Sequence, residues 1–442
     1  MTDKRRGHAM YDRRHFLAGG VSAISGLALL PRWKVDEVLS AAPDVAGMSA
    51  ETLAGYEPYW AALRKGFTPD PQHIWFNCFA NNPPPSSVQA RFVENDDLAN
   101  AWPMANLRKV FGSDKEEALR TRLASRVNAS ADEIALTRNT TEALSNVIFG
   151  LDLARGDEVI VTDQDYGTFL DAWAQRERRD GIVVRHISTP KPAQTHEDLV
   201  RCFRDALSPR TRVVMFSHIS AVTGQIFPAR AIADVAHNAG AQAIVDGALS
   251  FGAVPVDVRE LDCDYFGTSL HKGVFAPTGT GFLYVRRERI RALWPLFGSP
   301  EAEADNIRKL EHRGTAPVSA LATVTDALDF HEAIGTERLA ARYRYLKQAW
   351  AERIASHPQC RFLVRLEPEH SCGIALLMIE GVDPVKARKY LYERRAISVW
   401  PTRPWHQAPI GLWVSPYPFT SQVELEALVA GLEEIFEAPD LS

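Results

Sequence analysis

The sequence predicts an α/β protein: a large domain around an open, mainly parallel sheet, followed by a smaller C-terminal α+β domain. Three observations lead there. A chain of 442 residues, 46% of them hydrophobic, can bury a large core and exceeds one domain of ordinary size. Short apolar runs then alternate with helical patterns: Glu158-Val159-Ile160-Val161, Ile182-Val183-Val184, Arg212-Val213-Val214-Met215-Phe216 and Ala243-Ile244-Val245. Most of these runs are continuously apolar, as strands covered on both faces must be, and the alternation builds a parallel sheet. Past residue 310 the pattern changes to a long helical stretch, Val318 to Glu352 with a break at Gly335, then two apolar runs and terminal helices.

The elements follow in order. Lys4, Arg5, Arg6, Arg13 and Arg14 precede the apolar stretch Leu17–Leu30, which is shorter than the roughly 20 residues a bilayer requires. A basic region, a short apolar region and then the small residues Ser40-Ala41-Ala42 make residues 1–42 a signal peptide. Arg13-Arg14 followed by His15-Phe16-Leu17 resembles a twin-arginine signal. That implies export of the folded protein to the periplasm by the twin-arginine machinery, without stable membrane insertion. Residues 43–85 form an N-terminal segment expected to join the small domain; within it Asn81-Asn82-Pro83-Pro84-Pro85 is stiff and extended. Residues 86–310 form the large domain and 311–442 the small one.

Composition removes several function classes. A formal charge of -5 gives no footprint for nucleic acid or anionic membrane. Five cysteines without C-x-x-C spacing give no zinc site, so no metal is expected. Cys360 and Cys372 flank the run Phe362-Leu363-Val364, with a second apolar run from Gly373 to Ile379. A hairpin there brings the thiols toward each other in an oxidising compartment, and the sequence leaves a disulfide and two free thiols equally open.

The chemistry-bearing positions cluster at expected strand ends, where ligands of open α/β sheets bind. In Thr137-Arg138-Asn139-Thr140-Thr141-Glu142, Asn139 and Glu142 have capping-box spacing ahead of a helical pattern. A helix N-terminus with two added hydroxyls suits a phosphate. Asp246 closes the run Ala243-Ile244-Val245. A carboxylate at such a strand end can hold a pyridine nitrogen protonated. Ser269, His271 and Lys272 follow Asp264-Tyr265-Phe266-Gly267, and a partly desolvated lysine can lose its proton and attack an aldehyde. Pro277-Thr278-Gly279-Thr280-Gly281 then turns tightly into Phe282-Leu283-Tyr284-Val285. Phosphate site, carboxylate and lysine together describe a site for pyridoxal 5′-phosphate, with Lys272 holding it as an imine.

These residues also carry a family resemblance. Asp246-Gly-Ala-Leu-Ser, Ser-Leu-His-Lys272 and Pro-Thr-Gly-Thr-Gly-Phe-Leu-Tyr resemble the signature of class V aminotransferases, fold-type I pyridoxal-phosphate enzymes. Thr140-Thr141-Glu142-Ala143, Ser217-His218-Ile219-Ser220 and Glu311-His-Arg-Gly314-Thr315 extend it, so that it covers about 75 to 435. The resemblance implies that Lys272 is the Schiff-base lysine and proton shuttle, and that Asp246 pairs the pyridine nitrogen. Thr140, Thr141, Ser269 and His271 would bind the phosphate, and Tyr166 would stack on the cofactor ring. Thr278 and Thr315 lie in segments that approach a neighbouring subunit's cofactor, which implies a homodimer.

The departures from the pattern concern other positions. Leu249 replaces a polar residue near the cofactor's phenolic oxygen, and Ala221 stands where many members have asparagine. Trp413, in Leu412-Trp413-Val414-Ser415, occupies the place of the arginine that clamps the substrate carboxylate. An indole cannot form that bidentate pair. Arg403 is close enough in sequence to take over, and is otherwise a surface arginine after a proline turn. Asn77 lies in a segment resembling the family's approach to the active site, and is otherwise a turn residue. Residues 398–420 contain no cysteine, which argues against a persulfide mechanism. The resemblance is nearest to the isopenicillin N epimerase-like set. It implies transamination or epimerisation at the amino group or α-carbon of an amino acid or an amino-acid-containing peptide. A β-eliminating lyase on the same cofactor and a non-catalytic binding protein keeping the fold are the alternatives.

Overall fold

A computed structural model describes residues 35–401, 409–438 and 441. The twin-arginine motif and Arg403 lie outside the described residues. The last residues of the expected signal do not: Val38 is buried in a core cluster with Leu53, Trp60 and Leu63.

The strands are β1 (Ile74–Trp75), β2 (Ile134–Thr137), β3 (Glu158–Thr162), β4 (Val183–Ile187), β5 (Thr211–Ser217), β6 (Gln242–Asp246), β7 (Tyr265–Ser269), β8 (Gly281–Val285), β9 (Cys360–Phe362), β10 (Ala375–Ile379), β11 (Ile397–Ser398), β12 (Trp400–Pro401) and β13 (Leu412–Val414). The large sheet has seven strands in the order β2-β8-β7-β6-β5-β3-β4. β8 is antiparallel to both β2 and β7, and every other neighbour is parallel. No helix separates β7 from β8. A parallel return needs a crossover, so β8 comes back antiparallel.

Burial confirms a sheet covered on both faces. Along β5, Val214 and Phe216 belong to one core cluster while Val213 and Met215 belong to another. In β6, Ala243 and Val245 face the first and Ile244 the second. Such alternation across a continuously apolar strand is the signature of two helical layers. β4 departs from the expected burial: it is the edge strand, and Val183 is exposed.

The C-terminal part forms its own four-stranded antiparallel sheet, β12-β13-β10-β9, while β1 pairs in parallel with β11. The N-terminal segment is thereby tied to the small domain. The long helical stretch is two helices, Val318–Ile334 and Thr336–Ile354, broken at Gly335 with φ +95°. The hairpin between Cys360 and Cys372 forms, but its register separates the thiols. Cys360 pairs with Ile379, at the far end of β10 from Cys372. At ~3.3 Å per residue that distance is far beyond the ~7 Å Cα limit for a disulfide. All five cysteines are free.

Candidate active site

The parallel strands bring their carboxyl ends to one edge of the sheet, and the side chains met there come from segments far apart in sequence. β2 leads into the helix Thr140–Gly150, whose cap is Asn139, accepting a hydrogen bond from Glu142 N at 2.9 Å. Only half of the expected capping box is present. The Glu142 carboxylate accepts from Arg138 N (2.6 Å) and Arg138 Nε (2.9 Å) instead of from the cap residue. Ser269, at the end of β7, fixes this helix start. Its Oγ accepts from Thr140 N at 2.9 Å and lies 2.7 Å from Thr140 Oγ1. Gly281 makes the approach sterically feasible. A Cβ there would lie 2.5 Å from Thr268 O and 2.8 Å from Asn139 Cα, closer than real carbon contacts allow.

Asp246 ends β6, buried, with Oδ1 accepting from Ala248 N at 2.9 Å. Burial pushes its pKa up to about 6, against the pull of the Ala248 N–H and the Lys272 charge. Burial lowers Lys272, and the Asp246 charge opposes that shift. His271 is lowered to about 4 by burial and by Lys272, so it is a neutral hydrogen-bonding group at pH 7. The lysine loop is held from outside the large domain: Asn82 donates from its backbone N to His271 O (3.2 Å) and from Nδ2 to Lys272 O (2.7 Å). The same N-terminal segment receives β13, where Phe79 N donates to Ser415 Oγ at 3.1 Å.

One cavity of about 440 Å³ joins these groups. Its polar side holds Thr140, Thr141, Ser269, His271, Asp246 and Lys272, with Tyr166 at the start of the helix Gly167–Asp180. Its other side is apolar, formed by Phe79, Ala221, Val222, Leu249, Trp400 and Trp413. Thr278 and Thr315 are exposed and do not line it. Asn77 does not line it either. Its backbone bridges Ser415, and the turn that follows presents Phe79 and Ala80 to the cavity.

Asp165 is a lining residue that the sequence reading missed. Its carboxylate accepts from Thr162 N (2.7 Å), Ser217 N (2.8 Å) and Ser217 Oγ (3.2 Å). Burial pushes it up to about 7, the backbone N–H groups of Thr162 and Ser217 oppose the shift, and the Asp246 charge adds to it. Its place just beyond β3, next to Tyr166, was the available signal.

Comparison with known proteins agrees with this geometry. Residues 99–422 match the family model for class-V aminotransferases. The chain belongs to the class V aminotransferase family. It is 30% identical to the isopenicillin N epimerase of Amycolatopsis lactamdurans over 85% of this chain and 98% of that protein. A probable cysteine desulfurase of Synechocystis sp. is 33% identical over 64% of this chain and 70% of that protein. A solved structure of a C-DES variant with glycine covalently linked to its PLP cofactor superimposes with a TM-score of 0.72 at 22% identity, covering 83% of this chain and 99% of that one. The fold is that of these enzymes, and the cofactor of this family member is pyridoxal 5′-phosphate. The residues present fit it: a helix start with hydroxyl and imidazole donors for the phosphate, a buried carboxylate for the ring nitrogen and a lysine for the aldehyde.

Proposed function

We propose that this class V enzyme acts at the amino group and α-carbon of an amino acid, or of a peptide containing one, by transamination or epimerisation. The carrying observation is the pairing of Lys272 and Asp246 in one cavity, each with its pKa moved toward neutrality. Perturbed groups of this kind cluster where proton transfer is done. When bound, pyridoxal phosphate supplies an electron sink for the substrate α-carbon. Asp246 would pair the ring nitrogen, and Thr140, Thr141, Ser269 and His271 would hold the phosphate. Tyr166 would cover the ring face. Lys272 Nζ, which sheds its proton more readily because it is desolvated, takes the α-proton and returns it. Delivery of a proton to the other face of the same carbon, from a donor on that side such as solvent, is epimerisation; return elsewhere leads to transamination.

The test is a substrate screen on the cofactor-loaded protein in deuterium oxide. Solvent deuterium at the α-carbon with inversion supports epimerisation, and keto acid formed only with an amino acceptor supports transamination. No α-exchange and no keto acid from any amine would refute both. The 33% identity to a probable cysteine desulfurase supports a β-eliminating lyase as the second reading. It predicts ammonia and a keto acid without an acceptor. A persulfide route is disfavoured by the lack of cysteine in residues 398–420.

Arg403 is proposed to receive the substrate α-carboxylate in place of the arginine that Trp413 replaces. Arg403→Ala then raises KM, and an unchanged KM refutes it. Export by the twin-arginine route is proposed from Arg13-Arg14; an Arg13→Lys, Arg14→Lys double variant found in the periplasmic fraction overturns that. A homodimer is proposed in which the exposed Thr278 and Thr315 reach the partner's cofactor. A monomeric mass by light scattering would exclude it.

A further inference from the structure

Phe79, Leu249 and Trp413 belong to one buried cluster, Ala221 and Val222 pack against it, and all five line the cavity, so the composition of this wall bears on the substrate. β12 and β13 pair antiparallel with Trp400 directly opposite Trp413. Side chains directly opposite on neighbouring antiparallel strands lie on the same face and touch. Both tryptophans line the cavity, Trp413 6% exposed and Trp400 50% exposed. One indole is therefore part of the packed wall and the other remains open to what enters. Phe79, Ala221, Val222 and Leu249 complete that wall. Among the described residues, the ionisable side chains lining the cavity are Asp165, Tyr166, Asp246, His271 and Lys272, all on the side that fits the cofactor.

We propose that the amine substrate carries a bulky, uncharged side chain with a planar group, and that Trp400 and Trp413 are the specificity-determining wall that receives it. This rests on the reaction proposed at Lys272. A planar apolar group loses little by leaving water here and gains stacking against an indole face. An acidic side chain in the same place gives up its hydration against an apolar wall. A methyl side chain leaves the wall uncovered, so small amino acids gain nothing from it. The α-carboxylate, common to all such substrates, does not decide between them.

The experiment titrates the cofactor-loaded full chain with phenylalanine, alanine and aspartate, in both enantiomers, and follows the absorbance change of the bound cofactor. Binding is thus read without turnover. Phenylalanine is expected to half-saturate at a concentration about a hundredfold below that of aspartate, since even one methylene in an apolar pocket is worth roughly 10–200-fold. Trp400→Ala, a change at a half-exposed side chain, is expected to shrink that preference by about tenfold, on the scale of an exposed stacking contact. Aspartate or alanine binding as tightly as phenylalanine overturns the side-chain assignment while leaving the proposed reaction standing. An undiminished preference in Trp400→Ala removes Trp400 from the wall. If no amine changes the absorbance, the reaction proposed at Lys272 fails, and the wall has no substrate to select.

Discussion

Replacing Asp246 by Asn separates what this carboxylate does for the cofactor from what it costs the fold. Asp246 is 4% exposed, and burial moves its pKa from 3.8 to about 6. Between those values the folded cofactor-free chain holds a proton that the unfolded chain has already lost. Stability therefore falls as pH rises through this window, and the penalty is complete above about pH 6. At about 1.4 kcal/mol per pKa unit the penalty is roughly 3 kcal/mol. Asp165 adds to it: it too is pushed up by burial, and the Asp246 charge raises it further. Asparagine has nearly the same shape and can keep the Ala248 N–H bond through its carbonyl oxygen. The cofactor-free Asp246→Asn protein is expected to exceed its parent by roughly 3 kcal/mol at pH 8, with the difference shrinking toward zero at pH 4. Urea unfolding of both cofactor-free proteins at pH 4, 6 and 8 measures this directly. With the cofactor bound the order is expected to reverse, because only the parent gains the full binding free energy. A variant no more stable at pH 8, or a difference that does not depend on pH, would refute the reasoning.

The other predictions concern packing around the same site. Gly281→Ala places a methyl against Thr268 O and Asn139 Cα, and cofactor affinity of the apoprotein should fall by about tenfold or more, as overpacking costs ~1–3 kcal/mol. Asn139→Ala removes the cap of the phosphate-facing helix and should cost about 1 kcal/mol in denaturant unfolding, with weaker binding of inorganic phosphate by the apoprotein. Alkylation under denaturing conditions should give the same mass with and without prior reduction, since the five cysteines are free.

What was legible in the sequence was what depends on neighbours along the chain. β3, β5 and β6 announced themselves because strands buried on both faces need continuous apolar runs. The break at Gly335 followed from a residue that tolerates positive φ. β7 did not announce itself: Gly267 and Ser269 are poor strand signals. They are buried because the helix Thr140–Gly150 lies on them, so closely that a Cβ on Gly267 would meet Leu144 Cδ2 at 2.7 Å. Asp165 was missed for a related reason. Its partner Ser217 is distant in sequence and becomes adjacent only because β5 sits beside β3. The hold of Asn82 on Lys272 likewise exists only once the N-terminal segment folds back onto the lysine loop.

The two sides of the cavity answer to different constraints. The cofactor side must supply a fixed chemistry, so its donors and carboxylate sit at strand ends and at a helix start, where backbone geometry sets their positions. Lys272, Asp246, Ser269 and Thr140 are all of this kind. The departures from the family pattern, Ala221, Leu249 and Trp413, fall together in one apolar cluster that lines the cavity. Three polar or charged positions made apolar on one contiguous surface act in the same direction, removing partners for charge and adding area for an apolar group. Scattered loss of function would be expected to strike the cofactor side as well, and the residues there are intact. On the function proposed above, the pattern is that of an enzyme keeping its proton chemistry at Lys272 while changing what it admits.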